Sequence, residues 1–473
     1  MKHKLKLYNT LSKRKEALRP LKNGIIKIFV CGPTVHDYPH IGNARTCIVF
    51  DCLVKYLRHL GFRVFYLQNI TDIDDKIIAN ARSKGVSPKN LAEIFEKEYL
   101  KNMKSIGVDS VSKYAKATNY IKEIISQVKR LLESGYAYKI NDGIYYDISK
   151  FKNYGKLSGR TALQAEDSVS RIDYSVNKKN RGDFCLWKFS VDNEPSWPSS
   201  LGNGRPGWHI EDTAITEKFF GAQYDIHGGG IDLVFPHHEA EIAQMESISG
   251  KKPLARYWIH SGFLTINGQK MSKSLNNFIK IDDFLKNHSH RHLRFWMAKN
   301  LWHSPLDYSE SSMIEVKSSL ERIEEFLRRV RNINSFHNKL KTTNLKKIKK
   351  IILFSREEFY NNLSNNFNTP KAFAAIFYLI KEINKFLDVN AISEKQSDEI
   401  YNFFQEINKI FGIIDFKNLK QSNVPKEIKD LLWKRENLRK SGDWESADKL
   451  RIEIEKYGYI IDDTKEGPLL RRF

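Results

Sequence analysis

Two short clusters of residues, far apart along the chain, have side chains suited to binding phosphate. The first is His40-Ile41-Gly42-Asn43, which follows a predicted strand and loop and opens a predicted helix. An imidazole and a carboxamide at a helix N-terminus can donate hydrogen bonds to phosphate oxygens, and a glycine between them allows a backbone and a base to approach closely. A plain helix cap explains this tetrapeptide equally well.

The second cluster is Lys270-Met271-Ser272-Lys273-Ser274, on a predicted polar loop. Two ammonium groups at this spacing can surround a triphosphate and stabilise the charge that develops as pyrophosphate leaves. A generic basic loop would account for two lysines, but it would not account for the whole pentapeptide.

Together, and in this order, the two clusters resemble the paired signatures of the class I aminoacyl-tRNA synthetases. The resemblance implies that ATP activates an amino acid, which is then transferred to tRNA, with magnesium accompanying the ATP. It implies catalysis by positioning and charge stabilisation, without a side-chain nucleophile. The residues implied are the catalytic His40, Asn43, Lys270 and Lys273 and the ATP-binding His40, Gly42, Asn43 and Lys273.

Further segments resemble the cysteinyl-tRNA synthetases over nearly the whole chain: residues 31–35 (CGPTV), 69–76 (NITDIDDK), 207–211 (GWHIE), 225–241 and 462–464. The implied partners are L-cysteine, ATP and tRNA(Cys). Cys31, Thr71 and Trp208 would form the cysteine pocket, and Gly230 and Asp232 would bind the adenosine. For Thr71 and Trp208 the alternatives are a helix cap and a core aromatic residue.

A metal site is expected from residue types as well as from the resemblance. His237 and Glu241 are four residues apart, so on a helix they share one face, and Cys31 at a strand end can supply a thiolate. In the family a second cysteine completes a zinc site, to which the sulfur of the substrate cysteine binds. Here Asp212 stands at that position. Either its carboxylate completes the site, or the metal is weakly held or absent; we expect one zinc ion per chain, because an oxygen donor is an accepted zinc ligand.

Four residues near the C-terminus match positions that read anticodon bases in this family: Arg439, Trp444, Asp448 and Asp463. The implied mechanism is stacking on an indole and hydrogen bonding to the edges of unstacked bases. Considered alone, Trp444 would be a helix-packing residue.

Two other functions remain open at this point. A ligase that joins cysteine to an amino sugar resembles the catalytic half, although it would lack the full C-terminal tail present here. A catalytically silent RNA-binding paralogue is kept open by Asp212.

The elements that must position these residues begin with an apolar run at residues 25–31, a helical pattern at 41–60 and a second apolar run at 62–70. This is a strand–helix–strand unit, and similar alternation resumes over residues 224–262. The pattern predicts an α/β, Rossmann-like parallel sheet with ligands at the carboxyl ends of its strands. We expect the following domains: catalytic (1–114 and 206–308), an inserted connective domain (115–205), a helical bundle (309–423) and a small anticodon-binding unit (424–473).

The composition agrees with a folded protein that binds a polyanion. Of 473 residues, 41% are hydrophobic and 28% charged, which excludes wholesale disorder, and the net charge of +22 favours nucleic acid as a partner. Six lysines occur in the twelve residues 339–350, either as a solvated face or as a phosphate-contacting patch. Four irregularly spaced cysteines suggest reduced thiols, and the lack of a long apolar segment suggests a cytoplasmic protein without a membrane partner. A monomer is expected.

Overall fold

The computed structural model describes residues 4–160, 175–271, 277–333, 342–420, 425–464 and 467–472. The strands are β1 (Lys6–Asn9), β2 (Arg14–Ala17), β3 (Ile25–Val30), β4 (Arg63–Ile70), β5 (Lys113–Lys116), β6 (Ala137–Ile140), β7 (Gly143–Tyr146), β8 (Phe184–Phe189), β9 (Gly204–Pro206), β10 (Tyr224–Gly230), β11 (Ala255–Ser261), β12 (Leu264–Ile266), β13 (Gln269–Lys270), β14 (Leu306–Tyr308), β15 (Tyr459–Thr464) and β16 (Gly467–Arg472).

The α-helices of the described residues are α1 (Ile41–His59), α2 (Asp75–Ser83), α3 (Pro88–Ser105), α4 (Ile121–Glu133), α5 (Ile210–Phe220), α6 (Glu239–Ser249), α7 (Ile281–Asn287), α8 (His290–Ala298), α9 (Glu310–Arg331), α10 (Thr342–Ser364), α11 (Thr369–Leu387), α12 (Glu394–Phe411), α13 (Phe416–Lys420), α14 (Lys426–Lys440) and α15 (Trp444–Lys456). Short helical turns lie at Ala117–Tyr120, Ile148–Lys150, Ile231–Leu233 and Val234–His238. None of these helices has the length and apolar composition needed to span a bilayer.

A five-stranded parallel sheet forms the centre of the fold, in the order β11-β10-β3-β4-β5. The chain runs from β3 through β4 to β5 on one side and later adds β10 and β11 on the other side. The strand order therefore reverses between β3 and β10, and a crevice is expected at the carboxyl ends of these two strands. The predicted Rossmann-like α/β fold is confirmed.

The sequence explains why these central elements form. The apolar, β-branched residues of β3 are mostly buried, as a strand covered on both faces requires. Helix α1 begins at a capping box and ends before Gly61, whose φ of +90° favours glycine. The predicted strand, helix and strand over residues 25–70 agree with β3, α1 and β4 to within about one residue at each end.

An antiparallel sheet, in the order β6-β7-β8-β9, lies in sequence between β5 and β10 of the parallel sheet. Strands β6 and β7 form an antiparallel hairpin within it. The domain boundaries given above stay predictions.

The described chain divides into two compact units. The first comprises Met1–Leu320, Phe354–Phe377 and Phe404–Ile413, and it contains both sheets described above. The second comprises Glu321–Leu353, Tyr378–Phe403 and Ile414–Phe473.

In the second unit the end of the chain has its own small core. Ile428 of α14, Ile454 of α15 and Ile461 of β15 are buried against one another, and β15 pairs with β16 as an antiparallel hairpin. Helices α14 and α15 lie on either side of Gly442, and β15 follows them.

Candidate active site

One cavity of about 450 Å³ opens at the carboxyl ends of the parallel strands, within the first unit. It is lined by side chains and backbone that come from widely separated parts of the sequence: Cys31, His40, Gly42, Asn43, Asn69, Thr71, Trp208, Asp212, Gly230, Asp232, His237, Met271 and Phe278. The strands β3, β4 and β10 end at this cavity, because parallel strands present their carboxyl ends at one edge of the sheet. Most of the predicted catalytic and substrate-binding residues therefore line a single space.

His40 caps helix α1, and the capping hydrogen bonds determine which of its ring nitrogens carries the proton. Its Nδ1 accepts hydrogen bonds from the backbone N–H groups of Gly42 (3.1 Å) and Asn43 (3.4 Å), and the Asn43 side chain accepts from the His40 N–H (3.2 Å). Burial, with a smaller contribution from His36, lowers the pKa of His40 to about 4. The ring is therefore neutral at pH 7. Because Nδ1 is an acceptor, the proton resides on Nε2, which is left as a hydrogen-bond donor.

Met271 and Phe278, which flank the part of the lysine-containing loop outside the described residues, contact this turn. A Cβ atom added to Gly42 would lie 2.9 Å from Cε of Met271, so no other residue fits there without displacing that side chain. The rings of His40 and Phe278 are 4.8 Å apart between centroids. The backbone of Ile41 also donates to Ile279 (3.0 Å).

The predicted lysines themselves are only partly described. Lys273, with Ser272 and Ser274, lies outside the described residues, and for Lys270 only the backbone is described, in β13. Their catalytic role stays a prediction.

Four potential metal ligands converge next to the cavity. Cys31, Asp212, His237 and Glu241 are all buried, and their donor atoms lie within 4.8 Å of one another. Nε2 of His237 is 3.0 Å from Oδ2 of Asp212 and 3.2 Å from Oε1 of Glu241, and Sγ of Cys31 is 3.3 Å from Oδ2 of Asp212. The pair predicted from its four-residue spacing, His237 and Glu241, does share one face at the start of α6.

The electrostatics of this cluster suit a cation. Burial, together with the charges of Asp212 and Glu241, raises the pKa of the Cys31 thiol well above its ordinary value. Burial and Asp212 likewise raise the pKa of Glu241. Oε2 of Glu241 is buried and has no hydrogen-bond partner among the described residues. A thiol, an imidazole and two carboxylates fit a divalent metal ion, which would stabilise their deprotonated forms.

Asn69, at the end of β4, orients the carboxylate of Asp212. Its Nδ2 donates to Oδ1 of Asp212 (2.5 Å), and its Oδ1 accepts from the backbone N–H of Gly32 (2.6 Å). Only Oδ2 of Asp212 is then directed toward Cys31 and His237. No role for Asn69 was predicted from the sequence, and its place at a strand end facing the crevice is the signal that could have identified it.

Other histidines surround the cluster and offer a second set of donors. Cys31, His227, His238 and Glu241 also have donor atoms within 4.8 Å of one another, with Nε2 of His238 3.1 Å from Sγ of Cys31. Burial lowers the pKa of both His227 and His238 well below the ordinary value, so both are neutral. Nδ1 of His238 is hydrogen-bonded to His260 (2.8 Å), which fixes its orientation.

The two residues expected at the cysteine pocket, Thr71 and Trp208, lie on the wall of the same cavity. Trp208 is 39% exposed and stacks on His237 with 4.4 Å between ring centroids, so it is not a core residue. The hydroxyl of Thr71 donates to Glu211 (3.1 Å), and the N-cap of α2 is Asp74, so Thr71 is not the helix cap.

The residues expected to read an anticodon lie in the second unit. The Arg439 guanidinium is 5.5 Å from the ring centroid of Trp444 and pairs with Asp463 (2.5 Å). Trp444 is 59% exposed, which is against a helix-packing role, and Asp448 is exposed about one turn later. The buried Arg435, which the sequence analysis missed, also pairs with Asp463 (2.8 Å) and lowers the pKa of that carboxyl.

Comparison with known families gives two matches along the chain. A family model described as the class I (C) tRNA synthetase catalytic domain matches residues 17–318, and a DALR domain model matches residues 358–415.

Curated relatives cover the full length. The chain is 41% identical to the cysteine–tRNA ligases of Methanococcus maripaludis and Thermococcus gammatolerans, over 99% of each chain. It is 42% identical to the cysteine–tRNA ligase of Pyrococcus horikoshii, again over 99% of both.

Solved structures with little sequence identity share the fold. Methionyl-tRNA synthetase of Mycobacterium tuberculosis bound by methionyl-adenylate has a TM-score of 0.62 at 13% identity, covering 82% of this chain and 92% of that one. A ternary complex of Agrobacterium radiobacter LeuRS with tRNA and LeuAMS has a TM-score of 0.62 at 10% identity, covering 84% of this chain and 85% of that one.

Proposed function

This chain belongs to the cysteine–tRNA ligase family of class I aminoacyl-tRNA synthetases, and on that premise we propose that it joins L-cysteine to tRNA(Cys) at the cavity described above. One observation carries the proposal: the cluster around Cys31 and the turn around His40 line the same cavity. A thiol bound at the first would therefore hold its carboxylate near an ATP bound at the second.

The first step is formation of cysteinyl-adenylate. A carboxylate oxygen of cysteine attacks the α-phosphorus of ATP, the bond to the bridging oxygen breaks, and pyrophosphate leaves. His40, through Nε2–H, and Asn43 hold phosphate oxygens, while Lys270 and Lys273 balance the charge on the departing group. Magnesium would accompany the ATP. Gly42, Gly230 and Asp232 would bind the adenosine, with the carboxylate accepting from ribose hydroxyls.

In the second step, a terminal ribose hydroxyl of tRNA attacks the carbonyl carbon of the adenylate, and AMP leaves. The chain's contribution to both steps is orientation and electrostatic stabilisation rather than covalent catalysis.

Cysteine would be selected by a zinc ion held by Cys31, Asp212, His237 and Glu241. When bound, zinc supplies a soft site for the thiolate of the substrate, which serine and threonine cannot offer. The unpartnered carboxylate oxygen of Glu241 and the orientation of Asp212 by Asn69 support this ligand set. Trp208 and Thr71 would close the pocket around the small side chain.

Changing Asp212 to cysteine is expected to tighten zinc binding on the order of tenfold or more, because a second thiolate is a softer and stronger donor than a carboxylate. Competition with a chromophoric chelator measures the affinity, and substitution of cobalt for zinc measures the sulfur ligands through their charge-transfer absorption. In the Asp212→Cys variant that absorption should be nearly twice that of the unaltered protein.

The matched control is Asp212→Asn, which keeps a side chain able to interact with Asn69 but removes the anionic donor. It should bind zinc more weakly than the unaltered protein. If both variants bound zinc as the unaltered protein does, Asp212 would not be a ligand.

For the distal end of the tRNA, we propose that Arg439, Trp444, Asp448 and Asp463 read anticodon bases. The exposed indole of Trp444 supports stacking of an unpaired base, and the charged groups beside it support hydrogen bonds to base edges. We also propose the five domain segments given above, a monomer as the working enzyme and the cytoplasm as its location.

The experiment that tests the function measures ATP–pyrophosphate exchange with cysteine and with serine, followed by charging of tRNA(Cys). We expect exchange with cysteine, in the absence of tRNA, and formation of cysteinyl-tRNA. No exchange would indicate a silent paralogue. Exchange without charging would indicate a ligase for another acceptor, such as an amino sugar.

A further inference from the structure

One turn of helix α10 carries an exposed group of four lysines, which we call the lysine turn: Lys346, Lys347, Lys349 and Lys350. All four are exposed, whereas Ile348 between them is fully buried. The burial of Ile348, together with a hydrogen bond from Nε2 of Gln396 to the carbonyl of Leu345 (2.9 Å), holds the turn in the second unit and leaves the four lysines facing solvent. The whole turn belongs to that unit.

The lysine turn carries uncompensated like charges. Lys346 is three and four residues before Lys349 and Lys350, and Lys347 is three before Lys350. Like charges at these spacings destabilise a helix. No acidic residue stands three or four positions from any of the four lysines in the sequence. Among the described residues, no acidic side chain forms an ion pair with any of the four lysines either.

Three other cations of the same unit are compensated by nearby carboxylates. Arg329 pairs with Asp388, Arg331 pairs with Asp398 (3.1 Å) and Lys385 pairs with Glu382 (2.7 Å). An anionic ligand would relieve the repulsion within the lysine turn.

We propose that the lysine turn binds backbone phosphates of the tRNA substrate. This inference rests on the proposed function, which supplies the polyanion. From Lys346 to Lys350 the helix advances about 6 Å, and a nucleic-acid strand carries a phosphate about every 3.4 Å along a duplex axis, so two successive phosphates fall within reach. Lysine ammonium groups recognise phosphate as point charges, without reading bases. The turn adds affinity for tRNA but no sequence specificity.

The test compares two variants with equal loss of charge. The first changes the lysine turn to glutamine: Lys346→Gln, Lys347→Gln, Lys349→Gln and Lys350→Gln. The matched control changes four exposed lysines of the first unit: Lys89→Gln, Lys97→Gln, Lys104→Gln and Lys129→Gln. For each protein, the dissociation constant for tRNA(Cys) is measured from about 50 to 200 mM salt.

We expect the lysine-turn variant to lose about two units from the slope of log K against log salt, about 0.9 for each of the two phosphates contacted, and to bind tRNA roughly tenfold or more weakly at physiological salt. Its melting temperature should be unchanged or higher, because glutamine removes the repulsion between like charges. Its tRNA-independent ATP–pyrophosphate exchange should be unchanged. The control variant should change the slope by less than one unit, within the same order-of-magnitude estimate.

An unaltered slope in the lysine-turn variant would overturn the proposal, and so would an equal change of slope in the control variant. An unaltered slope would also mean that the turn serves a different partner, such as an acidic protein. Failure of the proposed function is seen separately, because the unaltered protein would then show no ATP–pyrophosphate exchange with cysteine, whatever its salt dependence.

Discussion

Replacing Cys31 with serine is expected to remove the bound metal and most of the preference for cysteine over serine. Because Asp212 supplies an oxygen, Cys31 is the single sulfur donor in the set formed with Asp212, His237 and Glu241. Without Cys31 the remaining donors are one imidazole and hard carboxylate oxygens. These donors hold zinc less well, and no soft site is left for the thiolate of the substrate. Discrimination on the order of 10⁴ should fall to about 10² or less, the range that shape alone provides.

The measurement combines elemental analysis with ATP–pyrophosphate exchange for cysteine and serine on the same preparation, made without chelator. The unaltered protein should hold about one zinc per chain, as expected for a site with these ligands. The control is Cys185→Ser, since Cys185, on β8, is another buried cysteine but belongs to neither of the two donor groups described above. It should keep both metal and selectivity. Retained metal and full selectivity in Cys31→Ser would show that discrimination has another source.

The parts of this site that the sequence predicted are those set by local geometry. The spacing of His237 and Glu241 determines their shared face whatever the rest of the fold does. The buried run of β3 and the capping residues of α1 likewise predict where Cys31 and His40 stand. Family resemblance was needed to bring Asp212 into the same set, because its approach to Cys31 depends on how α5 packs against the sheet.

The contacts that the sequence did not predict all join residues far apart in the chain. Asn69 reaches Asp212 across 143 positions, and its role is visible only once both lie at the same edge of the sheet. Arg435 is buried with its charge because Asp463 arrives from the hairpin that follows α15. In both cases a polar side chain must find a partner on burial, and tertiary packing decides which one.

Replacing His40 with asparagine is expected to lower the rate of adenylate formation by about 10²-fold or more while leaving stability nearly unchanged. Asparagine is among the best N-cap residues, so the variant keeps an acceptor for the N–H groups of Gly42 and Asn43. What it loses is the Nε2–H donor on the cavity side, and removal of one transition-state donor has an effect of this size. Single-turnover formation of adenylate and a melting curve measure the two quantities.

His40→Ala separates capping from catalysis. It should show the same loss of rate as His40→Asn, and in addition a loss of stability of about 1 kcal/mol, because the cap is gone. The pH dependence gives a further check. With its pKa at about 4, His40 stays neutral from pH 8 down to about pH 5, so we expect no change of rate from the titration of His40 within that range. Protonation of Nδ1 near pH 4 would remove the acceptor that caps α1 and would leave the Nε2–H donor in place. A rate for His40→Asn equal to that of the unaltered enzyme would limit His40 to capping α1, and phosphate binding would then depend on Asn43 and the lysine-containing loop.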